Sequence, residues 1–239
     1  MGLGLGLGHT FNNSSPKEDF SLRNISGLQL WLKHDTGITL NGSDVERWDD
    51  QSDNGNHANQ TIASRRPRLD GSKNIVFDGV DDRFDLSVFS VDTFTIATVI
   101  NPLEPTPSNE SVLGASANDF LRVHQGGQTD RVFMKANGVS MDQDTLQSNL
   151  PTGTFLLVVT RATGNTDNCK VRVNGVDITD TKNDDFDDRQ SLDIRAIATS
   201  GGGLNPFDGY INEVAVYDSA LTGADLSNVE ANIMSRNGL

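Results

Sequence analysis

The chain has 239 residues, with 33 Asp and Glu against 19 Lys and Arg and a formal net charge of -14. Its 35% hydrophobic content and mean hydropathy of -0.40 suit a water-facing chain long enough for a sizeable core, and no stretch nears the roughly 18 apolar residues of a membrane helix. The acidic balance excludes nucleic acid as a partner, because a phosphate-backbone binder needs clustered Lys and Arg.

Residues 1–8, MGLGLGLG, alternate Gly and Leu strictly. In an extended chain Leu3, Leu5 and Leu7 project to one face and the glycines leave the other bare, which is what strand addition to a foreign sheet edge requires. The expectation is an arm whose Leu3, Leu5 and Leu7 dock on a neighbouring subunit. The run lacks the basic region, apolar block and cleavage site of a secretory signal, and Gly6 stands where N-myristoylation wants Ser or Thr. Residues 9–24 are polar and read as a linker, so the arm covers 1–24 and the domain 25–239.

From Gly27 the text GLQLWLKHD alternates, which predicts a strand with Leu28, Leu30 and Leu32 on one face and Trp31 on the other, both covered. Further strands are expected at 74–78, 83–87, 92–100, 119–124, 131–136, 154–161, 169–175, 192–198 and 210–218. Gly126-Gly127, Asn137-Gly138 and Asn174-Gly175 between them are hairpin signals. At least ten short strands without alternating helices predict an antiparallel sandwich. At the end, Thr222 can cap a helix with Asp225 three residues on. Leu226, Val229 and Ile233 recur at helical spacing, and Asn237-Gly238 stops the helix.

Chemistry-bearing motifs are sparse. The single cysteine, Cys169, lies in a strand pattern and reads as a core thiol. Trp31 and Trp48 also read as core, and the four histidines, at 9, 34, 57 and 124, as surface residues. There is no H-E-x-x-H, G-x-S-x-G, P-loop or dinucleotide fingerprint. In DDQSDNGN, Asp50, Ser52 and Asn54 alternate before Gly55 as in a calcium loop, but Thr61 in place of the closing Glu excludes an EF-hand. The candidate ligands of a looser calcium site are Asp49, Asp50 and Asp53. Asp78-Gly79-Val80-Asp81-Asp82 reads as a turn in which Gly79 takes a positive φ and the aspartates bind local amides. The acidic stretch 180–190 reads as a solvated loop.

Six segments in order resemble the laminin-G-like group of concanavalin A-like lectin/glucanase domains: GLQLWLKHD (27–35), VERWDDQSDNGNHA (45–58), Arg66-Pro67, IVFDGVDDRF (75–84), VRVNGVD (171–177) and FDGYINEVAVYDSALTGADL (207–226). The resemblance covers about residues 25–239. It implies an all-β, antiparallel jelly-roll β-sandwich with one short C-terminal helix, first and last strands adjacent, and an extended N-terminal arm outside it. It also implies calcium at the rim, as in many laminin-G domains. The paired-carboxylate motif of the glucanase branch, E-x-D-x-x-E, is absent: the six glutamates, at 18, 46, 104, 110, 213 and 230, are scattered. No enzymatic activity and no catalytic residue is expected.

The expected function is that of a non-enzymatic virion accessory protein of a tailed bacteriophage, a capsid decoration, fibre or tail-associated protein at the virion surface. Its arm would anchor to a capsid or tail protein or to copies of itself, and its sandwich would stabilise the particle or adhere to host-surface glycans. The alternatives are a carbohydrate-binding module of a secreted bacterial protein and, third, a glucanase. Loops 49–57 and 180–190 are candidate glycan-facing rims, with no individual glycan-binding residue assigned.

Overall fold

The computed structural model of the chain describes residues 20–103, 109–124, 126, 131–144, 150–163, 169–179 and 190–239, with backbone alone at 139–144. Leu3, Leu5 and Leu7, His9 and the acidic loop 180–189 lie outside the described residues.

Six strands open the domain: β1 (Leu28–Lys33), β2 (Ile38–Asn41), β3 (Asp44–Trp48), β4 (Ala58–Asn59), β5 (Arg68–Leu69) and β6 (Ile75–Asp78). Six longer ones follow: β7 (Phe84–Val91), β8 (Phe94–Pro102), β9 (Glu110–Ser116), β10 (Asp119–Val123), β11 (Arg131–Ala136) and β12 (Val139–Asp144). The last are β13 (Phe155–Arg161), β14 (Cys169–Val173), β15 (Val176–Asp177), β16 (Leu192–Ile197) and β17 (Asp208–Tyr217), before helix α1 (Gly223–Asn237).

All pairings are antiparallel, in two layers. One runs β1–β17–β8–β13–β14–β15, the other β4–β7–β16–β9–β10–β11–β12. The layers join along one edge, where β3 pairs with β4 and β5, and β6 pairs with both β5 and β17. This is the antiparallel jelly-roll sandwich expected, with first and last strands adjacent.

Between the layers lies the main core, including Trp48, Phe77, Phe84, Phe94, Phe155, Ile197 and Phe207. A second cluster lies outside the first sheet, where Val229 and Ile233 of α1 and Leu22 cover Ala97, Val99, Leu156, Val158, Ala215 and Tyr217. That lid explains why β8, β13 and β17 are apolar on both faces: Ile96 and Ile100 point to the main core while Ala97 and Val99 point to the helix. Cys169, Trp48 and Trp31 are buried, as their sequence settings predict.

Local turn chemistry is obeyed. Asn137-Gly138 and Asn174-Gly175 have both residues at positive φ, closing two-residue hairpins in which Ala136 pairs with Val139 and Val173 with Val176. Gly238 ends α1 in the left-handed conformation. Thr222 does take the N-cap position, but its side chain makes no capping hydrogen bond; the helix is held by its buried face instead.

Three expectations need correction. A bulge between Leu28 and Leu30 flips the register, so Leu28 joins Trp31 in the outer cluster while Leu30 and Leu32 face the main core. Residues 20–24 belong to the fold rather than to a linker: Leu22 is fully buried, Tyr217 Oη donates to its carbonyl at 3.0 Å, and Asn232 Nδ2 donates to the carbonyl of Phe20 at 3.1 Å. Strand β9, ESVLGAS, has no apolar alternation to announce it, because serine and glycine occupy the places where β10 side chains lie across it.

Candidate functional site

The two sheets present different outer faces. α1 packs on β8 and β13, whereas the outer face of the second sheet is open along β7 and β16, where Asp85, Ser87, Val88, Ser90 and Arg195 are exposed. Strand register sorts its residues. Phe84, Ile197, Leu113, Leu121 and Met134 form one inward row across β7, β16, β9, β10 and β11; the next row, Asp85, Ala196, Gly114, Phe120 and Lys135, faces outward.

Gly114 is required in that row. A Cβ there would lie 2.5 Å from the Asp119 carbonyl oxygen and 2.9 Å from Phe120 Cβ, so only glycine lets the Phe120 ring lie down over β9. The Arg122 guanidinium stacks 3.5 Å above that ring and donates to Ser111 Oγ at 3.0 Å and Ser200 Oγ at 3.2 Å. Burial pushes its pKa down to about 10. Phe133 lies beside Phe120 with ring centroids 5.6 Å apart. At the strand end, buried His124 Nδ1 sits 2.6 Å from buried Glu110 Oε2, so this histidine is not the surface residue expected.

Towards β7 the face deepens into an open pocket of about 410 Å³ lined by Arg83, Asp85, Leu86, Val88, Arg195 and Gly202. It forms because β7 carries extra residues between Asp85 and Phe89 opposite the single Arg195 between Ile194 and Ala196. The bulge turns Val88 outward, leaving it 61% exposed. The lining combines charge, one carboxylate and an apolar wall, the mixture that fixes a small polar ligand's orientation.

Asp49, Asp50 and Asp53 do not come together. Asp50 is an organiser of its loop: its carboxylate accepts from the amides of Trp31, Ser52 and Asn56 at 2.9, 2.8 and 2.9 Å and from Ser52 Oγ at 2.7 Å. Asp49 pairs with Arg47 at 2.5 Å and lies 3.3 Å from His57, and Asp53 pairs with Arg23 at 3.2 Å. With their oxygens committed to three different partnerships, these residues do not fit a calcium ion, which draws its oxygens to one point. The loop they build is tied to β1 by Asn56 Nδ2 donating to the Gln29 carbonyl at 2.9 Å.

Among the described residues, the carboxylates of Asp78, Asp81 and Asp82 are the group that lies within 4.8 Å of one another. They serve the turn the sequence predicts. Gly79 has φ +71, and Asp78 Oδ1 accepts from the amides of Val80, Asp81 and Asp82 at 2.9, 3.2 and 3.3 Å. Burial, reinforced by Asp78, Asp81 and Asp44, pushes the Asp82 carboxyl up to about 7, against the pull of the Asp78 amide. Between its ordinary 3.8 and about 7 the folded chain therefore binds more protons than the unfolded chain, so stability falls as pH rises through that window. Asp82→Asn keeps an acceptor for the Asp78 amide and removes the charge. It is expected to raise stability by ~1–2 kcal/mol at pH 8, allowing for screening, and to leave it unchanged near pH 4. Urea midpoints at the two pH values check this; an equal shift at both contradicts it.

Sequence reasoning missed Glu110, Ser111, Arg122, His124, Arg83 and Arg195 as a common face. The available signal was an alternation of another kind: in DFLRVH, Leu121 and Val123 interleave with Phe120, Arg122 and His124, a strand with a polar and aromatic outer face.

The sequence matches the model of a family described as the concanavalin A-like lectin/glucanases superfamily over residues 77–227. The chain belongs to this superfamily. Solved structures share its fold at low identity. Domain 4 of AbnA, an extracellular GH43 arabinanase from Geobacillus stearothermophilus solved in complex with arabinotriose, is 18% identical, with a TM-score of 0.59 over 86% of this chain and 97% of that one. Trypanosoma rangeli sialidase is 15% identical, with a TM-score of 0.57 over 89% of this chain and 33% of that one. The binding domain of Paraclostridial Mosquitocidal Protein 1 is 15% identical, with a TM-score of 0.54 over 90% of this chain and 53% of that one. This lectin/glucanase-like chain thus spans about a third of the sialidase and nearly all of the arabinanase domain. No curated protein sequence matches it.

Proposed function

We propose that this chain is a non-catalytic carbohydrate-binding domain whose ligand lies on the outer face of the second sheet. The observation that carries this is the asymmetry of the sandwich: one outer face is sealed by α1, whereas the other holds an open polar pocket along β7 and β16, next to a sheet surface packed by the buried Arg122–Phe120 stack. Sugars call for that mixture, with hydroxyls on charged and amide groups and C–H faces on apolar surface. Membership of a lectin and glucanase superfamily and the fold shared with an arabinanase domain bound to arabinotriose support the reading. The non-catalytic part rests on the glutamates. Among the described residues Glu213 and Glu230 are paired with Arg236 and Arg172, Glu110 with His124 and Glu46 with Arg66, each on a different element, so no two of these glutamates form an acid and nucleophile on one strand face.

Phe20, the first described residue, lies beneath α1 on the side away from the pocket, so an anchor preceding it would leave the pocket face outward. That geometry supports display on a larger assembly, which we read as a virion, with the sandwich as its adhesive or stabilising accessory. A module of a secreted bacterial protein is the competing reading, favoured by the near-complete overlap with the arabinanase domain. Two measurements decide. A glycan array run with millimolar calcium and again with chelator is expected to show saccharide binding that Arg195→Ala weakens about tenfold; an empty array overturns the lectin reading. A mass-spectrometric inventory of purified particles is expected to contain the chain, and its absence leaves the module reading.

A further inference from the structure

The pocket on β7 and β16 contains two arginines facing one carboxylate: Arg83 shares Asp85 at 3.5 Å, and Arg195 is left over. Arg195 has no carboxylate within ion-pair distance among the described residues, in a chain where Arg23, Arg47, Arg65, Arg66 and Arg172 each have one. The Arg83 side chain is only 11% exposed, yet its buried Nε makes no hydrogen bond; its near neighbour is Asp85 Oδ1, at 3.5 Å. A buried guanidinium nitrogen without an acceptor is a standing cost of desolvation that a ligand can relieve.

From this we infer that the sugar taken by the pocket is acidic, with a carboxylate or sulfate on its ring seated between Arg83 and Arg195. The inference rests on the carbohydrate reading above and names the ligand's class. The other lining groups fit the rest of such a sugar. Asp85 offers an acceptor for ring hydroxyls, Leu86 and Val88 offer a wall for C–H groups, and Gly202, with nothing within 4 Å of where a Cβ would stand, leaves the mouth open. The competing negative charges on this face are Asp85, which is matched by Arg83 at 3.5 Å and leaves Arg195 in excess, and Asp193, whose Oδ1 already accepts from Ser90 Oγ at 2.5 Å. The net charge of -14 does not forbid an anion here, because charges beyond about 8–10 Å are screened at physiological salt while the two guanidinium groups act at contact.

The test is calorimetric titration of the full chain with three oligosaccharides of equal length: a polyuronate, a sulfated chain and a neutral one. Either anionic ligand is expected to bind at least ~10-fold more tightly than the neutral one, with affinity falling as salt rises; the preferred anion tells carboxylate from sulfate. Arg195→Gln, an exposed change that keeps the fold, and Arg83→Gln are each expected to abolish most of that preference. Neutral and acidic chains binding alike would sink this inference and leave the carbohydrate reading intact, whereas no binding of any of the three removes both. Preference unchanged in Arg195→Gln would move the anion site away from this pocket.

Discussion

Glu213→Ala is expected to lower the unfolding free energy by ~3 kcal/mol, because it strands the buried Trp31 indole N–H and the mostly buried Arg236 guanidinium. Glu213 lies on β17 and is 1% exposed. Its Oε1 accepts from Trp31 Nε1 at 2.8 Å and Arg236 Nη2 at 2.5 Å, and its Oε2 from Arg236 Nε at 3.3 Å and Asn237 Nδ2 at 2.8 Å. One carboxylate therefore ties the first strand, the last strand and the end of α1. The Arg236 guanidinium also lies 5.4 Å from the centre of the Trp31 ring. Removing the carboxylate leaves that cation beside an indole N–H with no acceptor. The loss should be local before it is global: hydrogen exchange across α1 is expected to accelerate first, since the helix depends on its packing. Glu213→Gln keeps an acceptor and should cost clearly less. A chemical denaturation series of the two variants checks the order, and equal costs would mean that the carboxylate charge alone, not a retained acceptor of the same shape, holds the lid.

Gly209→Ala is expected to cost more than about 3 kcal/mol, for a reason of space rather than charge. Gly209 sits where β17 is paired on both sides, with Phe77 of β6 and Pro102 of β8. Its φ is +136, and an added Cβ would lie 2.1 Å from the carbonyl oxygen of Asn101 and 3.1 Å from the Leu103 amide nitrogen. Both obstacles are backbone held in a sheet, so neither can swing away. Gly42→Ala is the control. It has φ +70 and nothing within 4 Å of the new methyl, so it carries only the conformational penalty of ~1–2 kcal/mol. Thermal midpoints of the two variants should therefore separate by several degrees. If they coincide, the close approach of β17 to Asn101 is wrong.

Several elements were legible in the residues because their causes are local. The hairpins at Asn137-Gly138 and Asn174-Gly175, the aspartate turn at 78–82 and the stop at Gly238 each depend on the φ preference or side-chain reach of residues within four positions. Alternation along β11 and β14, and the helical spacing of Val229 and Ile233, depend only on backbone period. The six ordered segments pointed to the sandwich and its superfamily for the same reason, since each is a local device of the fold.

What the residues could not show is which distant groups share a place. Asp50 resembled a metal ligand by spacing, but three amides and a hydroxyl already occupy it, and one of those amides comes from Trp31 on another strand. His124 looked like a surface histidine until β9 brought Glu110 alongside it. Arg83 and Arg195 are more than a hundred positions apart and meet only because a bulge in β7 faces β16. The sequence alone determined most of the longer strands, the tight turns and the class of fold, since these follow from neighbours along the chain. Tertiary structure decided which outer face is sealed, which holds an open pocket and which arginine faces that pocket without a carboxylate, since burial and charge pairing are settled by strand order and register across the sheet.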